Sequence, residues 1–255
     1  MDRSTVSFIV FGRKIINGQW RISDLPVNRL YFVHGGSGFY IKNGERYAFE
    51  RNHIYLFSAN QDIKFESDIY DPVDHTYFDF IMYPGFVMEK EFKVSFDENP
   101  VIESAVEALC QIIKKVGDIY KADDAEKAIV ESYFKSVLYF LNEIRPFEFV
   151  SDDRINKAVL FIHKNYSKEL SVREIAASVF METNHFIKVF KKHMNFSPYQ
   201  YIKDYRFSVA FGMLRKGMKV TDVARHTGFM SVSAFSNAYK KKFGVYPGTV
   251  YFAEK

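Results

Sequence analysis

The 255-residue chain predicts an α+β fold in three parts: an N-terminal β domain over 1–99, a helical region over 100–150, and an all-α domain over 151–255. Three observations carry this. From residue 6 to about 82, short runs rich in Phe, Tyr, Ile and Val are cut by turn signals. Near Pro100 the apolar residues change to helical spacing. The C-terminal third repeats itself. Ile175-Ala176 returns 48 positions later as Val223-Ala224, while Phe186, Phe190 and Asn195-Phe196-Ser197-Pro198 return 49 positions later as Phe235, Tyr239 and Gly244-Val245-Tyr246-Pro247.

In the β region, Leu30-Tyr31-Phe32-Val33 ends at Gly35-Gly36-Ser37-Gly38. Phe39 to Lys42 meets Asn43-Gly44, whose residues tolerate the positive φ of a type I′ hairpin turn. Arg46 to Phe49, Ile54 to Phe57 and Thr76 to Phe80 complete a series of closely spaced strands, which suggests a sandwich or barrel. Ile102, Val106, Leu109, Ile112, Ile113 and Val116 mark one helix. Ile129, Tyr133, Phe134, Val137, Leu138 and Leu141 mark a second, with a turn around Lys121-Ala122-Asp123-Asp124. Arg145-Pro146 to Asp152-Asp153 reads as the inter-domain linker, because Pro146 blocks helix continuation.

The remainder reads as helical throughout. Ile155, Val159, Ile162 and Tyr166 share a face. Ser171 and Glu174 have capping-box spacing, so a helix starts at Val172. A turn at Phe180-Met181-Glu182 leads to a helix from Thr183 to Met194, stopped by Asn195 in a left-handed conformation. A connector runs from Tyr199 to about Arg215, and a second pair follows at Val220–Thr227 and Val232–Phe243. The change of offset from 48 to 49 falls between the two helices of a unit, so the second unit has the longer turn.

Composition excludes several classes. At 47% hydrophobic residues, with 27 Phe and 17 Tyr, the chain can bury a core and need not be disordered. One cysteine, Cys110, rules out an intramolecular disulfide and a Cys-rich zinc site and fits a reducing compartment. Met1-Asp2-Arg3-Ser4 leads into Val6 to Phe11, an apolar run too short for a signal peptide or a bilayer span, and no later run is long enough. A soluble, cytoplasmic protein with no membrane partner is expected. Residues 1–150 hold 17 basic against 23 acidic residues, and residues 151–255 hold 18 against 8. The basic half favours a polyanion, because each neutralised phosphate releases condensed counterions.

Two helix–turn–helix patterns in that basic half are what a reader of two adjacent stretches of DNA groove needs. In such a unit the second helix lies in the major groove. Phe186, Val189 and Phe190 form the core face of the first reading helix, leaving Asn184, His185, Lys188, Lys191 and Lys192 outward. Phe235, Tyr239 and Phe243 do the same in the second, leaving Ser233, Ser236, Asn237, Lys240 and Lys241. Asn prefers adenine, Lys can donate to guanine and Ser is undiscriminating. Asn184, His185, Lys188, Ser233, Ser236 and Asn237 are therefore expected at bases. Lys191, Lys192, Arg206, Lys240 and Lys241 are expected at phosphates, which position without specifying. The first unit is expected to supply more base discrimination and the second more anchoring.

From about Ser171 to Tyr251 the sequence resembles the DNA-binding domain of the AraC-type transcription regulators. The matching positions are Val223-Ala224, Gly228-Phe229, Phe235-Ser236, Tyr239 through Val245 and Pro247, with Tyr201-Ile202, Arg206, Ala210 and Leu214 in the connector. The resemblance implies a connector that sets the reading helices about one DNA turn, roughly 34 Å, apart. It departs from the family at Phe180, where a small turn residue is common, at Asn195 in place of Gly, and at Lys219 in place of a capping Ser or Thr. The hairpin at Asn43-Gly44 and the segment Asp71 to Phe80 resemble the cupin-like β-barrel sensor domain of the same family. That implies a small-molecule effector, a homodimer formed through the two helices, and activation through RNA polymerase.

A metal-dependent cupin needs two His one residue apart plus a Glu and a further His. His34, His53 and His75 are scattered, so no metal, cofactor or catalytic residue is expected. Gly35 to Gly38 lacks the Gly-Lys-Ser/Thr of a phosphate loop, and no Gly-x-Ser-x-Gly occurs. Cys110, on an apolar helical face, is expected to be inert packing. The expectation is a sequence-specific transcription regulator, with double-stranded DNA as partner. Its rivals are a cupin-type enzyme fused to a DNA-binding domain and a regulator with no effector.

Overall fold

A computed structural model describes residues 5–22, 27–59, 61, 63–83, 85–87, 92–117, 119, 122–150, 152–215 and 217–252. The opening Met1-Asp2-Arg3-Ser4, and Lys121 of the expected inter-helix turn, lie outside the described residues. The chain divides into two compact units. One is built from Met1–Met82 and Phe86–Phe149, the other from Tyr83–Gly85 and Val150–Lys255.

In the first unit, β1 (Thr5–Ile16), β3 (Asn28–Gly35), β6 (His53–Phe57), β8 (Val73–Tyr83) and β10 (Phe92–Ser95) make a five-stranded sheet in the order β1-β8-β3-β6-β10. β2 (Gly18–Ile22), β4 (Gly38–Lys42), β5 (Glu45–Ala48) and β7 (Ile63–Ser67) make a second sheet in the order β2-β7-β4-β5. Antiparallel pairing joins β3 to both β6 and β8, β10 to β6, and β7 to both β2 and β4. The Asn43-Gly44 turn forms as expected, with φ of 52° and 86°. β9 (Phe86–Val87) pairs with β11 (Glu148–Phe149), so part of the stretch read as a linker is a strand.

The period of two along each strand decides the layering. Leu30, Phe32, Ile54, Leu56, Phe78 and Phe80 point from the large sheet towards α1 (Pro100–Val116) and α2 (Asp124–Ile144). Phe134 of α2 sits 4.8 Å from the rings of both Phe78 and Phe80. The alternate residues Tyr31, Val33, Tyr55, Phe57 and Tyr77 point the other way, onto Tyr40, Ile63 and Phe65 of the small sheet. Both faces of the large sheet are buried, which is why β3 shows six consecutive buried residues. The two sheets do not close into a ring among the described residues, so the expected barrel is open, a β-sandwich with helices on one side. The edge strand β5 is exposed along its length and carries Glu45 and Arg46, charges that discourage edge-to-edge pairing.

The second unit holds α3 (Asp153–Asn165), α4 (Val172–Ser178), α5 (Thr183–Met194), α6 (Pro198–Arg215), α7 (Val220–His226), α8 (Val232–Phe243) and a final 3-10 turn, Pro247–Phe252. Ile155, Ile162, Ile175, Phe186, Phe190 and Tyr201 form one core that joins α3, α4 and α5 to the start of α6. Phe207 of α6 packs against Phe229, Tyr239 and Phe243 in the second half, ring centres 5.6–6.0 Å apart, with the last two edge-on. The connector α6 is therefore shared by both repeats.

Candidate nucleic-acid interface

The two helix–turn–helix units are α4–α5 and α7–α8. The capping box at Ser171 and Glu174 forms, with the Ser hydroxyl accepting from Glu174 N and the Glu carboxylate accepting from Ser171 N at 2.8 Å. At the matching place Lys219 gives no side-chain cap, as its residue type predicts. The reading helices are capped differently: Glu182 accepts from His185 N, and Ser231 accepts from Ala234 N. Asn195 and Gly244 stop α5 and α8 in the left-handed conformation, with φ of 61° and 78°.

The change of offset has a structural address. Met181 N donates to Ala176 O at 2.9 Å, and Phe229 N donates to Ala224 O at 3.0 Å, still 48 apart. The caps Glu182 and Ser231 are 49 apart. The added residue is thus Met230, which is 99% exposed. Phe180, the counterpart of Gly228, is also 99% exposed and has a φ of 55° that favours glycine.

On α5, Asn184, His185, Lys188, Lys191 and Lys192 are all exposed, while Phe186 and Phe190 are buried on the opposite side. On α8, Ser233, Asn237, Lys240 and Lys241 are exposed, Ser236 is half-buried, and Phe235 and Tyr239 are buried. The repeat superposes Asn184 on Ser233, Lys188 on Asn237, Lys191 on Lys240 and Lys192 on Lys241. Lys240 Nζ rests 4.3 Å from the centre of the Tyr246 ring, which restrains its long stem. Arg206 stands apart from these groups. Its Nε donates to Tyr166 O and its Nη2 to Lys168 O, both at 2.8 Å, and burial lowers its pKa.

Sequence reasoning missed a buried ion pair under the second reading helix. Asp204 of α6 is 1% exposed, and its Oδ1 lies 3.2 Å from Lys242 Nζ of α8. Gln200 Nε2 donates to the other oxygen at 2.7 Å. A signal existed: Gln200, Asp204 and Ser208 fall four apart along one face of the connector, among the aromatic residues Tyr201, Tyr205 and Phe207.

In the first unit, His34 Nε2 lies 2.8 Å from Thr76 Oγ1 and 3.8 Å from Cys110 Sγ, and burial pushes the thiol pKa up, which favours the inert thiol. His75 is 2% exposed, between Tyr31 and Tyr77, and burial lowers its pKa to about 4. His53 lies in another part of the unit, beside Glu50. Among the described residues no group of three or more His, Cys, Asp or Glu is placed to hold a metal ion. No described helix is long and apolar enough to cross a membrane.

Comparison with known proteins agrees with this geometry. Residues 175–251 match the family model of a helix-turn-helix domain. The lactose operon transcription activator of Staphylococcus xylosus is 24% identical over 226 residues, which span 85% of this chain and 80% of that protein. The fold is that of ToxT from Vibrio cholerae. An apo form aligns with a TM-score of 0.67 at 13% identity, covering 99% of this chain and 98% of ToxT. A form described as bound to an unsaturated fatty acid aligns at 0.65 and 12% identity, covering 98% and 95%. The protein is a DNA-binding transcription regulator with a helix–turn–helix domain. More narrowly, that helix–turn–helix domain, over residues 175–251, is of the AraC type.

Proposed function

We propose that this protein binds two successive major-groove faces of one DNA site, through α5 and α8, and activates transcription from it. The observation that carries this is the matched exposure of the two reading helices. Each turns its aromatic residues inward and a polar, lysine-rich face outward. Asn184, His185, Lys188, Ser233, Ser236 and Asn237 read bases in this account. Lys191, Lys192, Lys240 and Lys241 hold phosphates. Arg206, bonded to two main-chain carbonyls, serves the domain's own packing. Activation rather than repression is supported by the name of the Staphylococcus relative, a transcription activator, and contact with RNA polymerase is part of the same proposal. The test is transcription in vitro from a promoter carrying the bound site. Added protein should raise transcript yield, and a fall would make it a repressor.

The N-terminal unit supplies control, with no catalytic step of its own. Its helix α2 leaves Ile129, Tyr133, Tyr139 and Ile144 exposed at 40–53%, an apolar stripe suited to a homodimer. Sedimentation should show a dimer that Tyr139→Asp dissociates. A monomeric wild type would refute the stripe's role.

The fatty-acid-bound ToxT structure supports a small-molecule effector acting by population shift. A second reading, regulation without an effector, is favoured by the packing between the sheets. Tyr31, Tyr40, Phe49, Tyr55, Phe57 and Phe65 fill that space with rings 5.0–6.3 Å apart. Thermal unfolding of the full chain with an unsaturated fatty acid or lactose separates the two. A concentration-dependent rise in Tm supports sensing, and no rise with either supports the effector-free reading.

A further inference from the structure

Three segments meet at one point beneath the second reading helix. Gly228, in the turn between α7 and α8, has a φ of 71°. A Cβ there would lie 2.8 Å from Tyr166 O, 3.0 Å from Ser167 O and 3.0 Å from Arg206 Nη2. Arg206 of α6 in turn donates to Tyr166 O and Lys168 O. Those carbonyls lie at the C-cap of α3 and in the turn that follows it, and α3 belongs to the core of the first helix–turn–helix unit. The end of the first unit's core therefore touches both the connector and the turn of the second unit.

The connector is also held elsewhere. Asp204 and Arg206 are two residues apart, so their side chains leave α6 roughly 200° apart. Asp204 grips Lys242 on α8 while Arg206 grips the end of α3. A rod clamped on both sides has little freedom to roll or tilt.

We propose that Arg206 and Gly228 are positioning residues for bipartite reading. They fix the distance and angle between α5 and α8, and with them the spacing of the two DNA blocks that the protein accepts. Neither residue touches DNA in this account. The proposal rests on the two-unit reading above.

Arg206→Lys separates positioning from phosphate contact. Lysine keeps the charge for a phosphate but loses the fork that reaches two carbonyls at once. Gly228→Ala perturbs the same junction from the other partner without changing charge. The full-length protein first selects its site from a random duplex library. Wild type and variants are then titrated against that site and against copies with the spacer changed by one or two base pairs. For wild type, the altered spacers should cost on the order of tenfold in affinity. In folded Arg206→Lys and Gly228→Ala that penalty should shrink to about threefold, while the salt dependence of binding stays at wild type. An unchanged spacing penalty in both folded variants overturns the proposal. So does an Arg206→Ala protein whose salt slope falls by about one unit while its spacing preference stays intact, because that marks a phosphate contact.

If selection returns a single block, the two-unit reading fails and this inference fails with it. Two blocks with an insensitive junction would sink this inference alone. Where one variant fails to fold, the other decides. A measurement that leaves the junction intact is the distance between spin labels at Lys188→Cys and Asn237→Cys, with Cys110→Ser, in the full chain free of DNA. With the labelled chain diluted into excess unlabelled chain, so that only distances within one protomer are read, a single narrow distribution is expected, and a broad one overturns the proposal.

Discussion

Asp204 and Lys242 form a buried ion pair that ties the connector to the second reading helix, Oδ1 to Nζ 3.2 Å, with Asp204 1% exposed. Removing one partner of such a pair leaves the other charge poorly solvated. Asp204→Ala should therefore destabilise α8 by about 3 kcal/mol, read as faster amide exchange in that helix. Replacing both, as Asp204→Leu with Lys242→Met, should recover most of the loss. A single Asp204→Ala with unchanged exchange would show that the pair carries no stability.

Phe180 is expected to be a costly residue in its place. Its backbone is left-handed at φ 55°, and its ring is 99% exposed, so packing returns little for the strain. Phe180→Gly should raise stability by about 1 kcal/mol, the gain from relieved strain exceeding the added freedom of the unfolded chain. A lower Tm for the glycine variant would mean that the ring makes contacts this fold does not show.

The DNA-binding unit should lose stability on mild acidification. His163 lies 4.1 Å from Tyr205, ring to ring, and burial lowers its pKa to about 3. In the unfolded chain the same group takes a proton near its ordinary value of 6.5. A depressed folded pKa gives stability that is complete above the unfolded value and is lost as pH falls towards the folded one. The loss attributable to His163 should reach about 2 kcal/mol at pH 5. His163→Phe should flatten the decline, measured as unfolding free energy between pH 7.5 and 5. An equally steep decline in the variant would assign the effect elsewhere.

The two reading faces should separate base contacts from phosphate contacts. Lys188→Ala or Asn237→Ala should weaken specific binding by about 1–3 kcal/mol and relax preference at one base pair. Lys191→Ala should weaken binding to all sequences and reduce the salt slope by about 0.9. Equal losses on specific and random DNA for Lys188→Ala would move that residue to the phosphates.

Local chemistry was legible in the sequence and long-range partnership was not. Ser171 with Glu174, Asn195 and Gly244 are signals contained within one turn of chain, and α4, α5 and α8 begin or end where those residues indicate. Strands β3, β4, β5, β6 and β8 were likewise foreseeable from their aromatic runs. Their order was not, because β1 lies beside β8 and β3 between β6 and β8, pairings between segments far apart in sequence. β10, Phe92–Ser95, is four residues long and lies within the β domain read over 1–99 but beyond residue 82, where the strand-like runs were read to end.

The interface divides the same way. Exposure of Asn184, Lys188 and Lys240 follows from helical spacing against Phe186, Phe190 and Tyr239. Arg206 looked like one more cation in a basic domain. Its partners, Tyr166 O and Lys168 O, lie 40 and 38 residues away, and only the tertiary fold brings them together.

The central claim is that one chain reads two blocks of DNA. Selection of bound sequences from a random duplex library by the full-length protein tests it most directly. The account predicts two conserved blocks with centres about one helical turn, roughly 10 base pairs, apart. A single conserved block, or no sequence preference over random DNA, would contradict it.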